Sequence, residues 1–531
     1  MMINDLRLVI LSCITILVIL SPGQTAAADA SPDNDRPRIG LVLSGGGALG
    51  FAHIGVLKVL EEMRVPVDCI VGTSMGALVG GVYASGVGPG QMQAVIANTD
   101  IESLFDDKPP RSDIPLNIKR DDYRPLFDMT LGYSDGVKLP SGASAGYKFE
   151  LFLKKLIGMD ASVADMSFDE LPTPYRATAT DLETGEIKVF DKGELPRVMR
   201  ASMSLPAIVA PTVIDDRAYI DGGLVRNLPV DIGRKLCGDV LIAVNLGTQL
   251  KPKEQVNNSL EVALQSIVIL TEQNVRASLQ ELTDSDVLIT PDPAGHSSSS
   301  FSSKEAIIAR GVAAARVQVR ELSRLSLSPD AYNAWRENRL SRKPAPLTVT
   351  EITAEVTAPV SANAVKQDIH EETGKAFDLE QLDRNITEIY GRGDFSYVGY
   401  SIVPNEDSAS VVIKADSKPW GPGYLKFGLG AATDFTSPTQ LNLAASYRRT
   451  WLNSLGAEWR TDAQIGYDTF LRTEFIQPLQ LRDGLFVAPY ALARRNFIQL
   501  YAADVRLGDI EIERYQGGLD MGISGSIGEL R

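Results

Sequence analysis

The chain has 531 residues, of which 44% are hydrophobic and 22% charged, with a formal net charge of −15. The length allows about three or four domains of ~150 residues, and the apolar share suffices to bury sizeable cores. The negative balance excludes non-specific nucleic-acid binding, which needs a basic footprint, so no nucleic-acid partner is expected.

Residues 1–28 have the pattern of a secretory signal peptide. Arg7 precedes an apolar run from Leu8 to Leu20, and Ala26-Ala27-Ala28 offers an A-x-A cleavage site. The run is shorter than the ~20 residues a spanning helix needs. Asp5 weakens the positive start, which leaves an uncleaved anchor as the alternative. Cys13 would leave with the signal. Export permits a disulfide between the remaining Cys69 and Cys237, but both flank apolar strand-like runs and read as buried thiols of a parallel sheet. The histidines are His53, His296 and His370, and no Cys/His group has metal-ligand spacing, so neither metal nor other cofactor is expected.

After a polar linker at residues 31–36, strand-like and helical segments alternate. Arg38–Leu43 reads as a strand. Ala52, Val56, Val59, Leu60 and Met63 share a helical face, Pro66–Val71 is the next strand and Ala77–Ala84 the next helix. Lys188–Phe190, Ala218–Ile220 and Val240–Leu246 add strands. The alternation predicts an α/β domain with a mainly parallel sheet covered by helices. Residues 100–147 break the rhythm. They are polar and proline-rich, with apolar pairs at Leu104-Phe105 and Leu126-Phe127, and read equally as a lid or binding loop and as a solvated excursion. Ser297–Ser303 is a serine-rich loop.

Three strings in this region carry chemistry. Ser44-Gly45-Gly46-Gly47-Ala48-Leu49-Gly50 offers free backbone N–H groups at a helix start, suited to holding an oxyanion at Gly45, Gly46 and Gly47. The same loop fits G-x-G-x-x-G, but a dinucleotide fold wants an acid at the end of the next strand, and Asp68 lies at its beginning. That strand instead ends in Gly72-Thr73-Ser74-Met75-Gly76 and a helix, the context of a nucleophile elbow in which Gly72 and Gly76 let backbone pass close by. The third string, Asp221-Gly222-Gly223, follows an apolar run and can supply the base. Among the histidines, His53 reads as a helix-face residue, His296 lies in the serine-rich loop and stays open as an alternative base, and His370 lies far downstream. A carboxylate is a feeble base at its reference pKa of ~3.9. Partial burial and a direct hydrogen bond to the serine would strengthen it.

Beyond Leu325, residues 326–347 read as a linker containing Pro329, Pro344 and Pro346. Residues 348–417 follow a β-α-α-β-β order: Val349–Val356, Ala362–Glu372, Leu379–Tyr390, Tyr397–Val403 and Ala409–Lys414. From about residue 422 to the end the period is two. Ala457, Trp459, Thr461, Ala463, Ile465 and Tyr467 alternate with Glu458, Arg460, Asp462, Gln464 and Gly466. Apolar-out, polar-in strands of ~10 residues are the signature of a transmembrane β-barrel, with a soluble antiparallel sheet as the alternative. About seven strands are countable, against the eight or more, in even number, of bacterial barrels. The expectation is a partial barrel, because the sequence is a fragment or because the barrel is completed elsewhere.

The glycine loop, the elbow at Ser74 and Asp221-Gly222-Gly223 resemble the patatin-like phospholipases, as do Arg200–Pro206 and Asn227-Leu228-Pro229-Val230. The resemblance covers residues 36–325. It implies a three-layer α/β lipid acyl hydrolase with Ser74 as nucleophile, Asp221 as base, Gly45, Gly46 and Gly47 as oxyanion hole, and Gly50, Gly72, Gly76, Gly222 and Gly223 as motif glycines. Leu49 stands where that family usually has Arg or Lys, which removes a positive charge near the lipid phosphate. Residues 348–417 resemble a POTRA domain. The whole order (signal, hydrolase, POTRA-like unit, barrel) is similar to the patatin-like autotransporters of the Gram-negative outer membrane. That resemblance implies a phospholipid or other lipid ester substrate, an outer-membrane anchor, and a hydrolase domain that is secreted, cell-surface or periplasmic. Two other functions remain open: an outer-membrane assembly or translocation protein carrying a hydrolase-like cargo domain, and an acyltransferase.

Overall fold

The computed structural model describes residues 36–531 apart from 115–118, 120–125, 128, 129, 134, 135, 141, 159–161, 248, 249, 344–347, 370–377, 406, 407, 433–439, 482, 483, 503, 504 and 525–528. The signal peptide, Cys13, most of the 31–36 linker, His370 and the end of the expected helix Ala362–Glu372 lie outside the described residues.

The elements that position the site begin with β1 (Ile39–Leu43), α1 (Phe51–Glu62), β2 (Cys69–Thr73) and α2 (Met75–Ala84). They continue with α3 (Tyr147–Ile157), β3 (Tyr175–Asp181), β4 (Ile187–Phe190), α4 (Leu195–Ser202), β5 (Thr212–Ile214) and β6 (Arg217–Asp221). β7 (Val240–Val244), α5 (Ser259–Leu279) and β8 (Val287–Ile289) follow. The strands form one eight-stranded sheet in the order β8-β7-β1-β2-β3-β6-β5, with β4 also on β3. β1, β2 and β7 are continuous apolar or small-residue runs buried along their whole length, as strands covered on both faces must be. The sheet is parallel from β8 to β3, and β4, β5 and β6 add antiparallel pairs.

One detail of register sets up the site. Ala177 and Thr178 of β3 pair with Gly72 and Thr73 of β2 on one edge and with Phe190 and Val189 of β4 on the other. Ala179 and Thr180 also pair with β4, so β6, which pairs Asp221 with Ala179 and Ile220 with Thr180, lies on the β2 edge. β2 runs parallel to β3 and β6 antiparallel, so their C-terminal ends abut. Ser74 follows one end and Asp221 closes the other.

Cys69 and Cys237 are joined in a disulfide, with their Cα atoms 5.1 Å apart, which corrects the expectation of buried free thiols. Gly40 explains how the bond crosses β1. It pairs with Cys69 on one side and Leu241 on the other, and a Cβ there would sit 3.1 Å from Cys237 Cβ. Cys69 opens β2 and Cys237 lies just ahead of β7, and topology places these two strands on either side of β1, which the local sequence around either cysteine does not encode. The bond closes a loop of 168 residues, a constraint on the unfolded chain of up to about 5 kcal/mol. Dithiothreitol, or the Cys69→Ser/Cys237→Ser pair, is therefore expected to lower the thermal midpoint. A melt insensitive to both would show that the bond contributes nothing.

The expected linker at residues 326–347 is helical over most of its described part, while residues 344–347, with Pro344 and Pro346, lie outside the described residues. Pro329–Ser341 is a helix, α6, with Ser328 accepting the Ala331 N–H as N-cap. Proline suits a first helical turn, so Pro329 marked a helix start where it was read as a break. Buried Arg339 ties α6 to the α/β domain: Nε donates to Thr173 Oγ1 (2.7 Å), Nη2 to the Tyr83 carbonyl (2.6 Å), and the guanidinium stacks 4.0 Å from the Tyr83 ring.

The next unit is β9 (Val349–Val356), α7 (Ala362–Gln367), α8 (Leu379–Gly391), β10 (Phe395–Pro404) and β11 (Ala409–Ser417). Its sheet runs β9-β11-β10, with β9 parallel and β10 antiparallel to β11. Leu382, Ile386 and Ile389, one stripe of α8, are fully buried against it.

A nine-stranded antiparallel sheet completes the chain. Its strands are β12 (Gly423–Ala432), β13 (Gln440–Arg449), β14 (Glu458–Gly466), β15 (Thr469–Pro478), β16 (Leu485–Ala502), β17 (Val505–Ser524) and β18 (Glu529–Leu530). Two short strands, Leu131–Tyr133 and Val137–Lys138, extend it beyond β12. This part of the 100–147 segment therefore edges a sheet nearly 300 residues away by pairing Leu131 with Leu425 and Gly132 with Tyr424. Burial on this sheet is inverted. In β14, Glu458, Arg460 and Asp462 are at most 6% exposed, whereas Trp459 and Ile465 are 51% and 61% exposed. The two outer edges of the sheet do not pair with each other among the described residues.

Candidate active site

Ser74 sits between β2 and α2 with φ 53° and ψ −124°, a left-handed-side conformation that a non-glycine residue holds only when its surroundings impose it. Two contacts do so. The Ser74 N–H donates to Ser202 Oγ (2.8 Å), and Ser202 Oγ donates on to the Thr178 carbonyl (2.6 Å). The first turn of α2 lies against the end of β1, so close that a Cβ on Gly76 would fall 2.4 Å from the Leu43 carbonyl oxygen. Gly72 is equally constrained, with Gly76 O 2.5 Å from where its Cβ would be. The elbow thus presents the Ser74 hydroxyl at the C-terminal end of the parallel strands, where open α/β sheets bind their ligands.

The Ser74 hydroxyl donates to Asp221 Oδ2 at 2.7 Å. Asp221 Oδ1 accepts the Gly223 N–H at 2.7 Å. Its backbone is held by Asp221 N–H to Ser204 O, Gly222 N–H to Ser202 O, and Thr180 Oγ1 to Asp221 O. Burial pushes the Asp221 carboxyl up to about 6, and the hydrogen bonds from Ser74 and Gly223 oppose that rise only in part. A carboxylate with a pKa near 6 is ionised at neutral pH yet is a far better proton acceptor than an exposed aspartate.

The glycine loop closes the third side. A Cβ on Gly45 would lie 2.9 Å from Ser74 Cβ and 2.5 Å from Asn227 Oδ1, so only glycine allows the loop to approach the serine this closely. Gly47 has φ +55°. The Gly45 N–H donates to the Asn227 carbonyl (3.3 Å), and the Ala48 N–H to the Ser298 carbonyl (2.8 Å). Gly46 and Gly47 have no hydrogen-bond acceptor for their N–H among the described residues. Of the three glycines expected to donate to an oxyanion, Gly45 is already engaged with Asn227. The serine-rich loop Ser297–Ser303, given no role beyond His296 as an alternative base beside it, packs over Gly47 through Ser298.

Gly50 stands against Met75, where a Cβ would meet Met75 Cγ at 2.0 Å, and Gly222 against the Thr178 carbonyl. His53 is fully buried and its Nε2–H donates to the Ser44 carbonyl (2.8 Å). Burial lowers its pKa to about 4 despite that bond, so the ring is neutral and braces the strand end below the glycine loop. His296 makes a backbone turn contact to Pro293, and no side-chain contact links it to Ser74 or Asp221. Three functional residues escaped the sequence reading. Ser202 orients the Ser74 backbone, Asn227 holds Gly45, and Asn274 of α5 braces the turn after Asp221 through Asn227 N–H and the Gly223 carbonyl. Ser202 and Asn227 lie in strings noted for their resemblance, and nothing local marks Asn274.

A hydroxyl on a buried carboxylate of raised pKa, beside free backbone N–H groups, can attack an ester carbonyl and hold the resulting oxyanion. Comparison with known proteins agrees in kind. A family model described as patatin-like phospholipase matches residues 41–233. A patatin-like phospholipase domain-containing protein of Caenorhabditis elegans is 35% identical over 213 residues, 40% of this chain and 14% of that protein. An uncharacterized NTE family protein of Mycobacterium tuberculosis is 33% identical over 221 residues, 41% of this chain and 52% of that protein. The chain thus spans about half or less of these curated relatives. The crystal structure of VipD from Legionella pneumophila aligns with TM-score 0.29 and 14% identity, over 53% of this chain and 67% of that one. The α/β part of this chain, over residues 41–233, is a patatin-like phospholipase domain.

Proposed function

We propose that the chain is an exported lipid acyl hydrolase of the phospholipase A type, anchored in an outer membrane through its C-terminal sheet. The observation that carries the catalytic reading is the 2.7 Å hydrogen bond from Ser74 Oγ to buried Asp221, formed at a strained elbow. Ser74 Oγ attacks the ester carbonyl carbon while Asp221 takes its proton. The N–H groups of Gly46 and Gly47, beside Gly45, hold the oxyanion of the tetrahedral intermediate, at the start of the turn that leads into α1. Asp221 returns the proton to the departing lipid alkoxide, leaving an acyl-serine. Water then gives a proton to Asp221, attacks the acyl carbonyl and releases the fatty acid, and Ser74 recovers its proton. A fluorophosphonate probe is expected to label the wild-type chain and to leave Ser74→Ala unlabelled. Equal labelling of the two would end this reading.

Three observations support the location. The Cys69–Cys237 disulfide suits an oxidising compartment outside the cytoplasm. The C-terminal sheet exposes Trp459, Ile465, Leu519 and Met521 while burying Glu458, Arg460 and Asp462, the reverse of a soluble sheet and the arrangement of a lipid-facing one. The unit from β9 to β11 has the element order of a POTRA module. The protein is expected to fractionate with outer membranes and to run faster unheated than boiled in gel electrophoresis. Recovery in the soluble fraction with no heat shift would count against the anchor.

A further inference from the structure

Between the α/β domain and the β9–β11 unit lies a buried cluster of charges that the catalytic scheme does not use. From the α/β side come Glu150 and Lys154 on α3, Glu194 just before α4, and Arg200 on α4, each at most 8% exposed. Lys154 Nζ lies 3.1 Å from Glu150 and 2.5 Å from Glu194, and Arg200 reaches Glu150 at 3.8 Å. From β10 come two hydroxyls. Tyr397 donates to Glu150 (2.5 Å) and Ser401 donates to Glu194 (2.5 Å). The Tyr400 carbonyl accepts from Lys154, and the guanidinium groups of Arg197 and Arg200 lie 4.6 and 5.3 Å from the Tyr397 ring. Burial pushes the Glu150 carboxyl up, but the cations of Lys154, Arg197 and Arg200 overcome it and hold the group ionised. Removing one partner from such a set leaves a buried charge uncompensated, so the cluster has one favourable arrangement and resists sliding.

The helix gripped by this cluster leads straight into the site. Arg200 is two residues from Ser202, the residue that accepts the Ser74 N–H. Ser202 O and Ser204 O accept the N–H groups of Gly222 and Asp221. Five to seven residues past Arg197, at Ser202 and Ser204, the chain therefore touches both halves of the Ser74–Asp221 pair. We propose that the β9–β11 unit is a positioning element of the active site: Tyr397 and Ser401 fix α4 through Glu150 and Glu194, and α4 in turn sets Ser74 through Ser202. Tyr397, Ser401 and Ser202 are positioning residues, since none reaches the reacting atoms except through Ser74 or Asp221. This rests on the hydrolase reading above, and it gives a physical reason for the two units to share one chain. Reacting groups misplaced by about an ångström lose rate steeply while substrate binding is little changed.

The test uses the full chain in detergent micelles and a soluble short-chain ester. Tyr397→Phe keeps the ring under the two arginines and removes only the hydroxyl. Ser401→Ala is a milder second lesion, and Ser401→Thr restores a hydroxyl. Tyr397→Phe and Ser401→Ala are expected to lower kcat about five- to twentyfold with KM within twofold of wild type, and Ser401→Thr to recover most of the loss. Ser202→Ala is expected to lower kcat similarly. Because the path runs through Ser202, Tyr397→Phe added to Ser202→Ala is expected to cost no more than twofold further. If the hydroxyl variants keep wild-type kcat, or if their losses multiply in full with that of Ser202→Ala, the positioning role is wrong while the hydrolase stands. If wild type itself shows no Ser74-dependent turnover, it is the hydrolase reading that fails.

Discussion

Replacing Ser74 by alanine is expected to lower kcat on a short-chain ester by about 10⁴-fold or more, because a nucleophile cannot be substituted by the remaining oxyanion donors and substrate binding. The fold should survive. Ser74 makes one side-chain hydrogen bond, and its loss leaves Asp221 with the Gly223 N–H. Alanine at φ 53° is no more strained than serine there, so the thermal midpoint should move by a few degrees at most. The measurement is steady-state hydrolysis beside a melt of the same preparation. A variant that melts like wild type and still turns over at more than a hundredth of its rate would show that Ser74 is not the nucleophile.

Asp221→Asn is expected to cost about 10³- to 10⁴-fold in kcat, since an amide can orient the hydroxyl but cannot take its proton. The same carboxylate sets the pH profile. With a folded-state pKa of about 6, kcat/KM should rise with pH through 6 and level off above 7. Stability follows the opposite course. The folded pKa lies above the value of 3.8 for an exposed aspartate, so between pH 4 and 6 the folded state binds a proton that the unfolded chain has released. Stability from this group is therefore fully present below pH 4 and is lost as pH rises to 6, by up to about 3 kcal/mol for a shift of roughly two units. Asparagine carries no charge to bury. The variant should melt with wild type near pH 4 and above it at pH 7, inactive but more stable. Melting curves that stay superimposed at pH 7 would place Asp221 in a far more solvated setting.

Much of this was legible because it is local. The elbow around Ser74 and the Asp221-Gly222-Gly223 turn follow apolar runs whose ends mark strand ends, and glycines where backbone passes close by are visible as glycines. The helix and strand order from Val349 to Ser417 shows in its change of period. What escaped depends on partners distant in sequence. Cys69 and Cys237 meet across Gly40 only because β7 and β2 flank β1. Leu131 and Gly132 become strand because β12 offers an unpaired edge, not because their own sequence alternates. Ser202 is one serine among several until α4 delivers it to the Ser74 amide. Pro329 was misjudged for a different reason: the same residue that breaks a helix interior opens a helix when it stands in the first turn.

The meeting of β2 and β6 on one edge of β3 makes a single strand the ruler for both members of the proposed Ser74–Asp221 dyad. Thr73 is registered against Thr178 and Asp221 against the next residue, Ala179. Strand rise is about 3.3 Å per residue, so a two-residue slip of either strand would part hydroxyl from carboxylate by nearly 7 Å. Catalytic competence therefore tracks the local ladder around residues 177–181 more closely than it tracks global melting. Amide exchange there should slow or quicken in step with turnover across a variant series, even where the overall transition temperature does not change.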